Sequence, residues 1–214
     1  MTATLTALPA PATALEISCG VDESASFIAA AKATALAIAG DAGRPILNNV
    51  LIEISDNEMR LVATNSYVLF VSTLLVPELD PTTEMSMMVD AKQLLTAIPK
   101  GRNPMLTLGF DERTVTITDS LTASATTIAV QPGTFPSWRN LDQSDKRPTE
   151  VFDVGFSPKY LALVGKAGEL FRGKRYEGAP LSYISGTTAL QPAYFTMRCV
   201  DRGTFHALIM PVRL

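Results

Sequence analysis

The chain has 214 residues, enough for one large or two ordinary domains with a buried core. Its make-up, 47% hydrophobic and 18% charged, is that of a globular protein, and no apolar run is long enough to cross a bilayer. Cys19 and Cys199 are two distant thiols without Cys-x-x-Cys spacing, which excludes a disulfide framework and a zinc site and predicts two core thiols, while a net charge of −3 argues against an evenly basic nucleic-acid binder.

In chain order, residues 1–14 lack a basic n-region and contain Pro9 and Pro11, so they read as a loose tail and not as a signal peptide, with the cytoplasm as the expected compartment. A first unit covers about 15–76. A strand at 15–19 leads through Asp22, Glu23 and Ser24, good helix-capping residues, to an Ala-rich helix with Phe27, Ile28, Ala31, Ala35 and Ile38 at helical spacing. Gly40 and Gly43 end it, and strands follow at 50–55, 59–63 and 67–76. A second unit covers about 83–130: a strand at 85–89, a helix at 91–98 capped by Asp90 and stopped by Pro99 and Gly101, then strands at 105–110, 114–119 and 121–130.

After Pro132, a stretch rich in turn formers and polar residues runs to Pro148 and reads as a linker. It also carries Phe135, Pro136 and the lone Trp138, which a passive linker does not need. A third unit covers about 150–214, with a strand at 151–156, Ser157 and Pro158 opening a basic helix, and strands near 181–185, 193–200 and 204–210. The order β-α-β-β-β therefore occurs three times with a period of roughly 67 residues.

Charge follows this repeat. The windows 24–39, 90–102 and 158–175 hold nine of eighteen bases: Lys32, then Lys92, Lys100 and Arg102, then Lys159, Lys166, Arg172, Lys174 and Arg175. They hold two acids, Asp90 and Glu169, so they carry +7 and the remainder −10. An acidic body with basic helices suits a protein of which one surface meets phosphate. Lys and Arg are also good helix formers, but so is Glu, and Glu is nearly missing there.

The ending Met210-Pro211-Val212-Arg213-Leu214 closes an apolar run from Phe205 with no polar tail after it. It resembles the Met-Pro-x-Arg-Leu terminus of the bacterial DNA polymerase III β sliding clamp. Ala63-Thr64-Asn65-Ser66-Tyr67-Val68-Leu69 is similar to the family's Ala-Thr-Asp-Gly segment, and Phe135-Pro136-Ser137-Trp138 looks like its Phe-Pro linker into the last domain. The resemblance implies an α+β, DNA-clamp-like fold: a disordered tail at 1–14, a clamp domain like the family's middle one at 15–131, a linker at 132–149 and a half-domain at 150–214. The family has six such units, against three here.

The same resemblance implies a non-enzymatic replication and processivity protein. Its helices would face duplex DNA without sequence choice through the nine bases named above. Partner peptides of the Gln-Leu-x-Leu-Phe type, from polymerases and other clamp-binding proteins, would dock in a pocket. Carried over by position, the pocket has one wall of Thr64, Ser66, Tyr67, Val68 and Leu69, a second of Pro136, Asn140 and Leu141, and a third of Leu208, Met210, Pro211, Val212, Arg213 and Leu214. Asn65, Ser66 and Val68 stand where the family has Asp, Gly and Arg, which weakens the expected grip. A half-domain that lacks its companion is expected to self-associate, through pairing of third units.

Rival readings rest on less. A clamp-derived interaction protein could keep the pocket, lose DNA and act as a decoy. Gly168 to Lys174 matches seven positions of a phosphate-binding P-loop, but Arg175 replaces the required Ser or Thr and the stretch is helical in pattern. His206 is the sole histidine, so neither a His-based triad nor a metal cluster has partners to draw on, and no cofactor or metal is expected.

Overall fold

The computed structural model describes residues 15–76, 79–80, 82–101, 103–141, 154–176, 178–186, 188 and 190–212, leaving out the side chain of Arg175. The expected tail 1–14, the polar stretch 142–149, the start of the third unit's first strand, Arg102, Arg213 and Leu214 lie outside those residues.

The first unit comprises β1 (Leu15–Ser18), α1 (Val21–Thr34), β2 (Asn49–Ser55), β3 (Glu58–Thr64) and β4 (Val68–Leu75), and the second comprises β5 (Met85–Asp90), α2 (Ala91–Ala97), β6 (Leu106–Phe110), β7 (Thr114–Asp119) and β8 (Ser124–Ala129). The third has α3 (Pro158–Arg172), β9 (Ser182–Ile184), β10 (Ala193–Cys199) and β11 (Gly203–Ile209). Of its expected first strand at 151–156, the described residues 154–156 show an isolated bridge between Gly155 and Val212.

The first two units exchange their first strands. β1 pairs with β6 and β5 with β2, both antiparallel, so neither unit's sheet is complete without the other. The result is a four-stranded sheet, β1-β6-β7-β8, and a second sheet beginning β5-β2-β3-β4. That second sheet continues into the third unit, because β4 pairs along its length with β11, giving the seven-stranded order β5-β2-β3-β4-β11-β10-β9.

The helices pack together on one side, α1 between α3 and α2. Ala30, Ala31 and Ala33 of α1 are fully buried, and such small side chains let one helix lie close to both neighbours and to the sheet. A large core forms there from alternate strand residues, Leu61, Phe70 and Phe205 among them, with Phe27, Leu94, Val164 and Phe171 from the helices. Phe205 meets both Phe70 and Phe171 ring to ring, at 5.4 and 5.8 Å between centroids.

Several boundaries differ from the sequence reading. α1 starts at Val21 and not at 24, with its first turn closed by Ser24 N–H to the Gly20 carbonyl at 2.9 Å. Ser24 is therefore not the cap. Its buried hydroxyl accepts from Leu106 N–H at 2.9 Å, a better use than capping because it joins the first two units where their strands cross. The helix stops at Thr34 in a 3₁₀ turn, ahead of Gly40 and Gly43, whereas Asp90 does cap α2 by accepting from Gln93 N–H at 2.8 Å. α3 ends at Arg172, because Gly173 takes φ 58°, so Lys174 sits in a separate turn. β8 begins only at Ser124, after a turn with Ala123 at φ 53°.

Candidate peptide-docking site and helix surface

On the side of the seven-stranded sheet opposite the helices, the strand registers align residues into rows. One row runs Thr64, Leu69, Leu208, Tyr194, Ile184, each opposite the next on the neighbouring strand. A second runs Met88, Leu51, Val62, Val71, His206, Thr196. The apolar members are buried in one cluster with Phe135 and Trp138, so the linker is the outer cover of this face. Where the second row turns polar, the Thr196 hydroxyl and His206 Nδ1 lie 3.2 Å apart.

The pairing of β4 with β11 brings two of the three implied pocket walls together. The turn from Thr64 to Val68 is held by its own side chains: Asn65 Oδ1 accepts from Tyr67 and Val68 N–H, both at 3.0 Å, and the Thr64 hydroxyl donates to the Val68 carbonyl at 2.8 Å. Ser66, where the family has Gly, adopts φ 77°. Just past β11, Met210 N–H donates to the Tyr67 carbonyl at 2.9 Å, which fixes the 210–212 segment against this turn. The third wall joins through Tyr194, whose hydroxyl donates to the Leu141 carbonyl at 3.1 Å.

The implied residues separate by role. Leu69 and Leu208 are buried side by side, with Thr64 at the end of their row. Tyr67, Leu141, Met210 and Val212 are exposed, with relative exposures of 54, 47, 37 and 46%. Exposed apolar side chains beside a buried apolar floor are what a short peptide with large anchors needs. Pro136 and Asn140 are exposed on the linker, and Pro211 is half-buried. Val68 faces the other way, into the helix-side core, because neighbouring strand residues alternate.

Three residues not singled out in the sequence bear on the site. Arg44 donates to the Ser66 hydroxyl at 3.1 Å, Tyr160 of α3 stacks on Tyr67, and Tyr194 holds the Leu141 carbonyl. Arg44 had a local signal in the Pro45 after it, which opens the 3₁₀ turn Pro45–Asn48. Tyr160 and Tyr194 had none, since only the tertiary fold brings them to residues far away in sequence.

Lys32 on α1, Lys92 on α2, and Lys159 and Lys166 on α3 are exposed on the helix layer. Lys100 lies beyond the end of α2, and Lys174 beyond the end of α3. Arg172 is engaged by Glu169 at 2.6 Å. The observed helices carry five bases and three acids, since α1 includes Asp22 and Glu23 in its first turn. This is a weaker excess than the sequence windows give. Gly168 to Arg172 lie inside α3, so the P-loop-like stretch is helical and forms no phosphate-binding loop before Gly173.

Two clefts lie apart from Leu69, Leu208 and Met210. One of about 590 Å³ opens between the first and third units, beside Cys19, Glu23, Tyr176 and Arg202. Burial, reinforced by Glu23, raises the Cys19 thiol to about 11, and burial also raises Cys199, so neither thiol is poised as a nucleophile. The other, about 570 Å³, lies between the linker and β2 and β5, beside Glu53 and Trp138. Among the described residues, no group of three or more His, Cys, Asp or Glu could hold a metal ion, and no helix is long and apolar enough to cross a membrane.

Paired β-α-β-β-β units with exchanged first strands, helices on one side and a sheet running on into the next unit define a clamp-like fold. Residues 23–137, more than half of the chain, match the family model for the central domain of the DNA polymerase III beta subunit, and the chain belongs to that family. It is similar in structure to the DNA polymerase sliding clamp of Bacillus subtilis, at 18% identity and a TM-score of 0.71, covering 98% of this chain and 67% of that one. The DNA polymerase III subunit beta of Pseudomonas aeruginosa gives 15% identity and 0.72 over 99% and 69%, and that of Thermotoga maritima 16% and 0.68 over 100% and 70%. No curated protein matches the chain.

Proposed function

We propose that this chain is a sliding-clamp-type replication and processivity protein, without enzymatic activity of its own, which docks partner peptides beside Tyr67 and Met210 and meets duplex DNA through its helix layer. The observation that carries the reading is the junction of β4 with β11. It sets the Thr64 to Val68 turn against the 210–212 segment, with Leu69 and Leu208 between, in a family whose members are replication clamps. Contacts with DNA would be to phosphates, from exposed lysines and without sequence choice.

The test is a calorimetric titration with a Gln-Leu-x-Leu-Phe-type peptide. The full chain should bind, and removal of residues 210–214 should cost about 2 kcal/mol or more, the usual effect of losing a buried anchor. Equal affinity in both proteins would refute the docking site. A second reading, an interaction protein or decoy that keeps the pocket without DNA, is favoured by the small basic excess on the observed helices. Peptide binding without salt-dependent DNA binding would select it.

A further inference from the structure

The linker does more than cover the outer face of the seven-stranded sheet. Between itself and strands β2 and β5 it leaves the cleft of about 570 Å³, a size within the roughly 300–1,000 Å³ of ligand-holding pockets. Leu51, Met88 and Phe135 supply apolar wall, and Glu53, Ser86 and Trp138 supply polar wall. Pro136 and Asn140 belong both to this cleft and to the implied docking pocket.

Two polar groups on the cleft lack partners. Trp138 is 7% exposed, and its buried indole N–H, which can only donate, meets no acceptor among the described residues. Glu53 accepts from Arg139 at 2.8 Å through Oε1, while its buried Oε2, which as part of a carboxylate only accepts, meets no donor among them. Buried donors and acceptors in folded proteins are nearly always paired, so one of each left over on a cleft points to a ligand that brings both. Arg139 also lies over the Trp138 ring, 4.5 Å from guanidinium carbon to centroid, and its side chain is 55% exposed. It is a cover that can turn into solvent without disturbing the core.

The main chain adds a third element. β5 ends the sheet, and the Met88 carbonyl on its outer edge accepts from Gln131 N–H at 2.8 Å. Backbone groups of an antiparallel strand face alternate edges, so Ser86, two residues back, turns its N–H and carbonyl to the same edge. No described strand pairs with them there.

We propose that this cleft binds a short, uncharged, extended peptide segment of a partner protein, laid along Ser86 with its amides bonded to Glu53 Oε2 and Trp138 Nε1. An amide carries the N–H that the carboxylate oxygen lacks and the carbonyl that the indole lacks, and an open strand edge takes extended backbone. Glu53 and Arg139, the charged residues lining the cleft, pair with each other, so nothing there calls for a charged ligand. The site lies apart from Tyr67 and Met210 and does not rest on the docking reading.

The probe is the capped tetrapeptide acetyl-Thr-Val-Thr-Val-amide, titrated into the full chain and followed by nitrogen-15 NMR. Trp138 is the only tryptophan, so its indole N–H gives a single signal, which should move together with the Ser86 amide and saturate. The same peptide with methylated amide nitrogens should bind about tenfold more weakly, the effect of a lost hydrogen bond. Glu53→Gln keeps an oxygen for Arg139 and turns the free acceptor into a donor, and Trp138→Phe keeps an aromatic ring and removes the N–H. Each should weaken binding about tenfold by calorimetry. Arg139→Ala should not weaken it, and removal of residues 210–214 should leave the indole response unchanged, which separates this cleft from the docking site. Signals that stay put at millimolar peptide, equal binding of the methylated peptide, indifference to both Glu53→Gln and Trp138→Phe, weaker binding by Arg139→Ala, or a response lost with residues 210–214 would overturn the proposal.

Discussion

The Tyr67 and Tyr160 rings stack with centroids 5.5 Å apart and planes 15° from parallel, joining the turn before β4 to the first turn of α3. The contact spans the first and third units at the rim of the candidate docking site. Offset aromatic pairs contribute about 1 kcal/mol beyond their buried area. Alanine at either position should lower stability in urea unfolding. The double-mutant cycle should return a coupling of about 1 kcal/mol, and a coupling near zero would show that the rings do not stack in solution.

The helix layer gives a prediction about DNA. Lys32, Lys92, Lys159 and Lys166 are exposed, whereas Arg172 is held by Glu169. Replacing those four lysines with Glu should abolish nonspecific duplex binding in a fluorescence titration. Arg172→Ala should change it little. The unmodified protein's affinity should fall steeply with salt, since each phosphate contact releases about one counterion. Binding that is insensitive to salt would exclude a phosphate-led contact.

The thiols give a prediction about pH. Cys19 is raised to about 11 by burial and by Glu23, and Cys199 is raised by burial. Both stay protonated in the folded chain where an unfolded thiol already ionises. This contribution to stability is complete below the ordinary thiol value of 9.0 and is lost as the pH rises through the folded value. At mildly alkaline pH, iodoacetamide should therefore label neither thiol in the native protein, by mass spectrometry, and both in denaturant.

Local pattern made the units legible. β7 alternates polar and apolar residues and was expected at its observed bounds, and Asp90 had the offset that capping demands. The resemblance supplied the candidate walls, and β4 and β11 bring Leu69 and Leu208 side by side. The joined sheet itself was not legible, since the pairing of β4 with β11 has no signature in either strand. Two errors had local causes: Ser24 looked like a cap but serves a strand crossing, and Gly40 and Gly43 lie well beyond the Thr34 where α1 stops. The outward direction of Leu69 and inward direction of Val68 follow from strand alternation once the register is fixed.

That register depends on one glycine. Gly203 opens β11 at φ 131°, a conformation that residues with a side chain rarely adopt. It lies opposite Leu74 in the β4 and β11 pairing, and a Cβ built on it would sit 1.9 Å from the Thr73 carbonyl oxygen. That neighbour is backbone, in the middle of the seven-stranded sheet, and it cannot move aside as a flexible side chain could. Gly203→Ala must therefore either distort β4 or detach the start of β11. Backbone strain of this kind costs on the order of 1–3 kcal/mol before any clash is added, so a loss of about 3 kcal/mol or more is expected in urea unfolding. The damage should concentrate at the junction: amides of β4 and β11 should exchange faster with solvent while those of β6 and β7, in the other sheet, keep their protection. Peptide affinity should fall together with that protection, because Tyr67 and Met210 are held to each other at the far end of the same strand pair. An alanine variant with unchanged stability and unchanged exchange in β4 would mean that β11 does not join the sheet in this register.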